Sequence, residues 1–333
     1  MWRRLLSGRG NRPWNTSKMH LMEAAMNYFD LHCDTIAECW KQKKDLWDND
    51  LHLCLKRGAA YHPWLQCFAA WIPDELRGEA AYRYFEAVYG ELLRQETLHG
   101  DKLKICRDEE DFQEAARTGK CGAIFTVEGG AALGGRLERV DRLKECGVKA
   151  VTLTWNASCE IGDGAEVAHP KGLTPFGREV VRELERNRIA VDVSHAGEPL
   201  FWEVAERAQR PFLATHSNAR ALCNNPRNLT DSQFCAVRDR GGVVGVTFVR
   251  RFLDDSWEAG VDDLLRHIEH FLSLGGEKTV ALGGDFDGTD LPDGMTGVES
   301  VETLGDCMLR HNYPESLVQA IFFDNAYRFF TSL

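Results

Sequence analysis

The sequence predicts an α/β protein, a (β/α)8 barrel, and three observations carry that expectation. Short apolar, β-branched runs alternate along the chain with amphipathic helical stretches, eight runs in all. The runs are continuous rather than alternating, as strands buried on both faces of a parallel sheet should be. A doubly wound open sheet would place a glycine-rich phosphate loop after the first strand, and "HCDTIAECW" holds no glycine there.

Taken in order, "MNYFDLH" (26–32) and "PWLQCFAAW" (63–71) are the first two strands, followed by a helical pattern over "AYRYFEAVYGELLRQE" (81–96). "CGAIFTVE" (121–128) is the third, and the helix "RLERVDRLKECG" stops at Gly147, a residue suited to the left-handed turn that ends helices. "VKAVTLTW" (148–155) leads to the helix "TPFGREVVRELERN", which opens on Thr174 as cap with Pro175 in its first turn. "RIAVDVSH" (188–195) precedes the helix "EPLFWEVAERAQ". "PFLATHS" (211–217) precedes "TDSQFCAVRDRGG", with Thr230 or Asp231 as cap. "GGVVGVTF" (241–248), the helix "GVDDLLRHIEHFLSLGG" ending at Gly275, and "TVALGGDF" (279–286) complete the set. No repeat, low-complexity tract or linker interrupts the chain after residue 26. The expectation is one catalytic domain over 27–333, preceded by a flexible extension over 1–26.

Composition narrows the partners. With 333 residues, 44% of them hydrophobic, the chain can bury a large core. A net charge of −11 argues against nucleic acid as a partner, because phosphate binding needs a basic surface. Positive charge clusters only at the start, where Arg3, Arg4, Arg9, Arg12 and Lys18 precede the first acid, Glu23. No apolar stretch follows them as a secretory signal requires, no window approaches the roughly 20 apolar residues of a membrane span, and "NAYRFFTSL" is not a lipid-anchor tail. The eleven cysteines are scattered, without a CxxC pair, and most sit in apolar runs where a thiol packs as a small hydrophobe. The expectation is a reducing, cytoplasmic compartment with no membrane contact.

The polar residues at the strand ends carry the chemistry. His32 and Asp34 end the first strand and, two apart in extended chain, face one way. Glu128 ends the third, His195 the fifth, His216 the sixth and Asp285 the eighth. Singly, each has an ordinary explanation: a satisfied core histidine, a helix-start acid before Gly129, an Asx turn at "DFDG". Jointly, a barrel brings the C-terminal ends of its strands to one face, so the six groups converge. Three imidazoles and three carboxylates suit Zn²⁺ or a similar divalent ion, and six candidates exceed what one ion needs. A binuclear centre is the natural reading, with two ions sharing a hydroxide and Asp285 as the general base for its proton.

These residues resemble the membrane, or renal, dipeptidases, metallopeptidase family M19, of the amidohydrolase-type barrels. The likeness runs from Asn27 to Phe330 and is most specific in "DLHCDT", "TVEGG", "LTWNASCEIGDGA", "KGLTPFGREVVREL", "VDVSHAG", "THSNARALCNNPRNLTD" and "LGGDFDG". It implies a (β/α)8 barrel with two zinc ions that hydrolyses dipeptides, and a homodimer. By matching motif, His32 and Asp34 would hold one zinc, His195 and His216 the other, and Glu128 would bridge them. Asp285 matches the family's acid/base carboxylate. Arg227, in "NPRNLTD", matches the arginine that grips the dipeptide's C-terminal carboxylate, a role suited to a bidentate guanidinium; a local ion pair with Asp231 is the alternative. One position departs. Where the mammalian branch has a histidine facing the tetrahedral oxygen, this chain has Trp155, followed by Asn156. Both are expected at the substrate, although an indole offers one donor and no acid/base function. His169, downstream on the same loop, is either a donor in its stead or a solvated loop histidine. Cys33 is expected to point away from its neighbours His32 and Asp34 and pack as a hydrophobe. The rival readings are another hydrolase on the same barrel (lactonase, deacylase or deaminase) and, further off, a non-catalytic metal-binding protein.

Overall fold

A computed structural model describes residues 26–333, so the expected extension lies, but for Met26, outside the described residues. The strands are β1 (Tyr28–Asp30), β2 (Trp64–Trp71), β3 (Leu103–Ile105), β4 (Cys121–Glu128), β5 (Ala150–Thr152), β6 (Ala190–Asp192), β7 (Val244–Val246) and β8 (Val280–Leu282). All pair in parallel, in the order β6-β5-β4-β2-β1-β8-β7, with β3 lying beside the first half of β4. β2 and β4 pair over eight residues, from Trp64 with Cys121 to Trp71 with Glu128.

Helices α1 (Thr35–Gln42), α2 (Leu55–Gly58), α3 (Gly78–Leu98), α4 (Glu109–Thr118), α5 (Arg139–Glu145), α6 (Pro175–Arg186), α7 (Glu198–Arg207), α8 (Asp231–Asp239) and α9 (Val261–Ser273) connect the strands. α10 (Glu302–Arg310), α11 (Glu315–Gln319) and α12 (Asn325–Thr331) follow β8. The anticipated caps form: Thr174 accepts from the Gly177 N–H, and Thr230 makes a reciprocal capping box with Gln233. Gly147 and Gly275 take the left-handed conformation where α5 and α9 stop.

Seven of the eight apolar runs become strands, and the sixth departs from expectation. Residues 211–217 make single parallel bridges, Leu213 to Asp192 and Ala214 to Val244. The cause lies in the hydrogen bonding. The Leu213, Ala214 and Ser217 N–H groups meet backbone carbonyls of the neighbouring segments, but the Thr215 N–H goes to the Asp192 carboxylate (3.0 Å) and the His216 N–H to the Ser194 hydroxyl (3.1 Å), so side chains interrupt the backbone ladder there. β3 and the helices α1, α2, α4 and α10 to α12 were not foreseen. β3 is only three residues long, and α4 buries just Phe112 and Ala115, too few apolar positions to show a period.

Two apolar clusters hold the layers together. The smaller one collects residues from successive segments around the sheet, from Phe29 in β1 through Ile124, Ala190 and Leu213 to Ala281 in β8, and Phe329 and Phe330 of α12 close it. All eleven cysteines are free thiols, and Cys33 is fully buried in the larger cluster, as expected. Among the described residues, no helix is long and apolar enough to cross a membrane.

Candidate metal centre

The C-terminal ends of the strands gather the polar residues. His32, Asp34, Glu128, His195 and His216 all lie at 7% exposure or less. Glu128, the last residue of β4, is the hub. Its Oε1 faces His195 Nε2 at 2.8 Å and His216 Nε2 at 3.5 Å, while its Oε2 faces His32 Nε2 at 3.4 Å. His32 Nε2 also lies 3.7 Å from Asp285 and 3.9 Å from Asp34. His32, Glu128 and His216 therefore form one potential ligand triangle, and His32, Asp34 and Asp285 a second.

The backbone is shaped for these positions. His195 and Asp285 follow their strands with φ of 64° and 59°, left-handed values uncommon outside glycine, which turn both side chains sharply out of the strand path. Glycine at 288 leaves both carboxylates their places: a Cβ there would stand 2.4 Å from Asp34 Oδ2 and 2.5 Å from Asp285 Oδ1 and would displace them.

Two buried aspartates, not anticipated as site residues, set the registers of the ligand loops. Asp30 accepts from the N–H of His32 (2.9 Å) and of Gly284 (3.0 Å), which ties the ends of β1 and β8 together. Asp192 accepts from Ser194 N (2.9 Å), Thr215 N (3.0 Å) and the hydroxyls of Thr152 and Thr215 (both 2.6 Å). The available signal was a charged residue inside an apolar run, in "YFDLH" and "AVDVSH".

Histidine tautomers follow from these contacts. Asn156 Oδ1 lies 2.8 Å from His195 Nδ1 and calls for a proton on that nitrogen. The Thr215 hydroxyl donates to Asp192, so it is free to accept from His216 Nδ1 at 2.9 Å. Both rings then turn Nε2 lone pairs toward Glu128, with the two nitrogens 2.9 Å apart. Such facing lone pairs repel unless a cation lies between them. Burial lowers the His195 pKa to about 3 and that of His216 well below its usual range, keeping both as neutral ligands. Burial would lower His32 too, but the carboxylates of Glu128, Asp34 and Asp285 overcome it and lift the pKa to about 10. Without a metal ion the cluster thus holds a proton in the place of positive charge. His32 Nε2 and Asp34 Oδ1 have no hydrogen-bond partner. Two neutral imidazoles, a set of crowded carboxylates that a proton on His32 partly offsets, and unpartnered buried donor atoms together fit divalent cations.

The remaining candidates surround this cluster. Burial raises Asp285 to about 7, and its side chain is 13% exposed, more open than the others. Arg227 is buried, its Nη2 is 3.5 Å from the His216 carbonyl oxygen, and its Nε has no partner. The alternative ion pair does not form, since Asp231 is engaged by His270 Nε2 at 2.7 Å. Trp155 packs edge-on against Trp71 (5.0 Å between centroids) and lies 6.3 Å from the His195 ring. Asn156 is held on His195. His169 is exposed.

Comparison with known proteins settles the family. The model of the membrane dipeptidases, peptidase family M19, matches residues 16–333. The chain belongs to that family of metallo-dipeptidases. Among M19 relatives, the crystal structure of dipeptidase AC, a metallo peptidase, is 29% identical with a TM-score of 0.86, over 92% of this chain and 98% of that one. A metallo peptidase from Rhodobacter sphaeroides, solved with a phosphinate mimic of the dipeptide L-Ala-D-Ala, is 28% identical with a TM-score of 0.86, over 92% and 99%. An uncharacterized protein from the pqqA 5' region of Klebsiella pneumoniae is 32% identical over 245 residues, 70% of this chain and 90% of that protein.

Proposed function

We propose that this M19 protein is a dizinc dipeptidase on a closed (β/α)8 barrel, cleaving dipeptides that carry a free C-terminal carboxylate. Closure is supported by the bridges of Leu213 and Ala214, which link β6 to β7, and by the apolar cluster drawn from segments all around the sheet. Two ions are supported by the division of Glu128, one oxygen toward His195 and His216 and the other toward His32. The observation that carries the substrate assignment is Arg227, a buried guanidinium beside the cluster that has no carboxylate partner among the described residues.

His32 and Asp34 would hold one ion, His195 and His216 the other, with Glu128 between them. Two divalent cations there would supply a water acidified near neutral pH and a polarised carbonyl, while their charge holds Asp285 ionised. Arg227 receives the substrate carboxylate in a paired, charge-assisted contact. Asp285, the most accessible carboxylate of the cluster, accepts the proton of the attacking water and delivers it to the leaving amine. Asn156 keeps His195 in its ligating tautomer, and the Trp71–Trp155 pair forms an apolar wall that limits water beside His195.

The test is turnover of a panel of L-L and L-D dipeptides by the zinc-loaded protein, repeated with Arg227→Ala. The expected result is hydrolysis, with KM for dipeptides raised at least tenfold in the variant and little change for an uncharged ester or amide. Hydrolysis indifferent to Arg227 would favour a lactonase, deacylase or deaminase on the same scaffold.

A further inference from the structure

Arg227 does not stand alone at the mouth of the site. The turn after β7, "FVRRF", places Arg251 on the same aromatic ring: the Arg227 Cζ is 5.4 Å from the centroid of Phe252 and the Arg251 Cζ is 5.0 Å from it. The loop carrying Arg227 is tied to this turn, since Asn228 Nδ2 donates to the Phe252 carbonyl oxygen at 2.8 Å. Both guanidiniums therefore lie within about 5.5 Å of one ring centre, that of Phe252, itself buried. The charge of Arg251 is felt at both Asp285 and Arg227.

Neither guanidinium has a carboxylate partner among the described residues. That is unexpected in a chain with 51 acidic and 40 basic residues. The acids nearest in sequence are engaged elsewhere: Asp254 accepts from Ser256 (2.6 Å) and lies 3.6 Å from Arg266, and Asp255 accepts from the Cys223 thiol. The neighbouring Arg250 pairs with Asp293. Leaving the buried Arg227 unneutralised has a cost unless an anion arrives to meet it, and the exposed Arg251 adds positive charge at the same ring. Arg227 accounts for one carboxylate, the substrate's C-terminus. Arg251, exposed and stacked on the shared ring, is available to a second carboxylate on the same residue.

We propose that Arg251 and Phe252 form a second carboxylate subsite, making the enzyme selective for dipeptides whose C-terminal residue is aspartate or glutamate. The proposal rests on the dipeptidase reading and on Arg227 holding the C-terminal carboxylate.

The experiment compares kcat/KM for Ala-Asp and Ala-Asn, nearly isosteric dipeptides, in both L-L and L-D forms, for the zinc-loaded wild type, Arg251→Ala and Arg251→Lys. In the wild type the acidic substrate should be favoured about tenfold or more for at least one stereochemical series. Arg251→Ala should bring that ratio close to one, mainly through KM for the acidic substrate, and Arg251→Lys should retain part of it. Added salt should shrink the wild-type ratio. A wild-type ratio near or below one, or a preference that Arg251→Ala leaves intact, overturns the proposal. Cleavage of Ala-Asn without acidic preference would leave the dipeptidase reading standing and remove this one alone. Failure to cleave any dipeptide would remove both.

Discussion

Asp285 and His32 share one problem, the concentration of negative charge around Glu128, and they resolve it differently. His32 takes up a proton when no cation is present, and burial leaves Asp285 with a pKa near 7 under the same condition. Asp285 reaches the cluster through a left-handed backbone turn and is more open than the other carboxylates. Those features suit a group that exchanges protons with substrate better than one that only ligates. Asp285→Asn is accordingly expected to retain bound metal while kcat falls about 10²–10⁴-fold, the usual scale for general acid–base catalysis. Parallel metal analysis and kinetics check this. Loss of metal along with activity would make Asp285 chiefly a ligand.

At the scale of elements, the site depends on how strand ends are tied together. Asp192 receives four donors, two N–H groups and two hydroxyls, and through Thr215 and Ser194 it reaches the backbone and ring of His216. An asparagine would set an amide donor against the two hydroxyls, so the Thr215 hydroxyl would turn its own proton toward His216 Nδ1 and disfavour the ligating tautomer. Asp192→Asn should weaken metal affinity at the His195–His216 half about 10–100-fold, with the His32–Asp34 half little changed. Metal content measured across a chelator titration should then show one ion leaving ahead of the other, whereas the two-ion reading predicts that the wild type releases them closer together. Simultaneous loss of both would mean that Asp192 serves the fold rather than that half of the site. The same hydrogen bonds explain what sequence could not reveal about the sixth segment. "PFLATHS" has the composition of a strand, but Asp192 and Ser194, distant in sequence, capture the N–H groups of Thr215 and His216 and interrupt its ladder. Composition reports that a segment is apolar and β-branched. It does not report which acceptor its backbone will meet.

Across the whole molecule, legibility followed length and burial. The eight apolar runs were readable because continuous burial leaves continuous hydrophobicity, and each occupies a place in or beside the parallel sheet. β3 and α4 escaped because three residues, or two buried ones, make no period. The residues that gather at the strand ends were legible as types, since histidines and carboxylates stand out where apolar runs stop. Their mutual arrangement was not, because the division of Glu128 between His32 and the His195–His216 pair exists only once β1, β4, β6 and the 213–216 segment are side by side. Arg227 illustrates the same limit. Nearby Asp231 offered an ordinary partner in sequence, and only the fold shows His270 holding that acid instead. The central claim is that this arrangement operates as a two-ion dipeptidase centre. Titrating metal-free protein with Zn²⁺ while following L-Ala-L-Ala hydrolysis tests it most directly. Activity should rise to a plateau at two equivalents per chain; a plateau at one equivalent, or no hydrolysis with both equivalents bound, would contradict it.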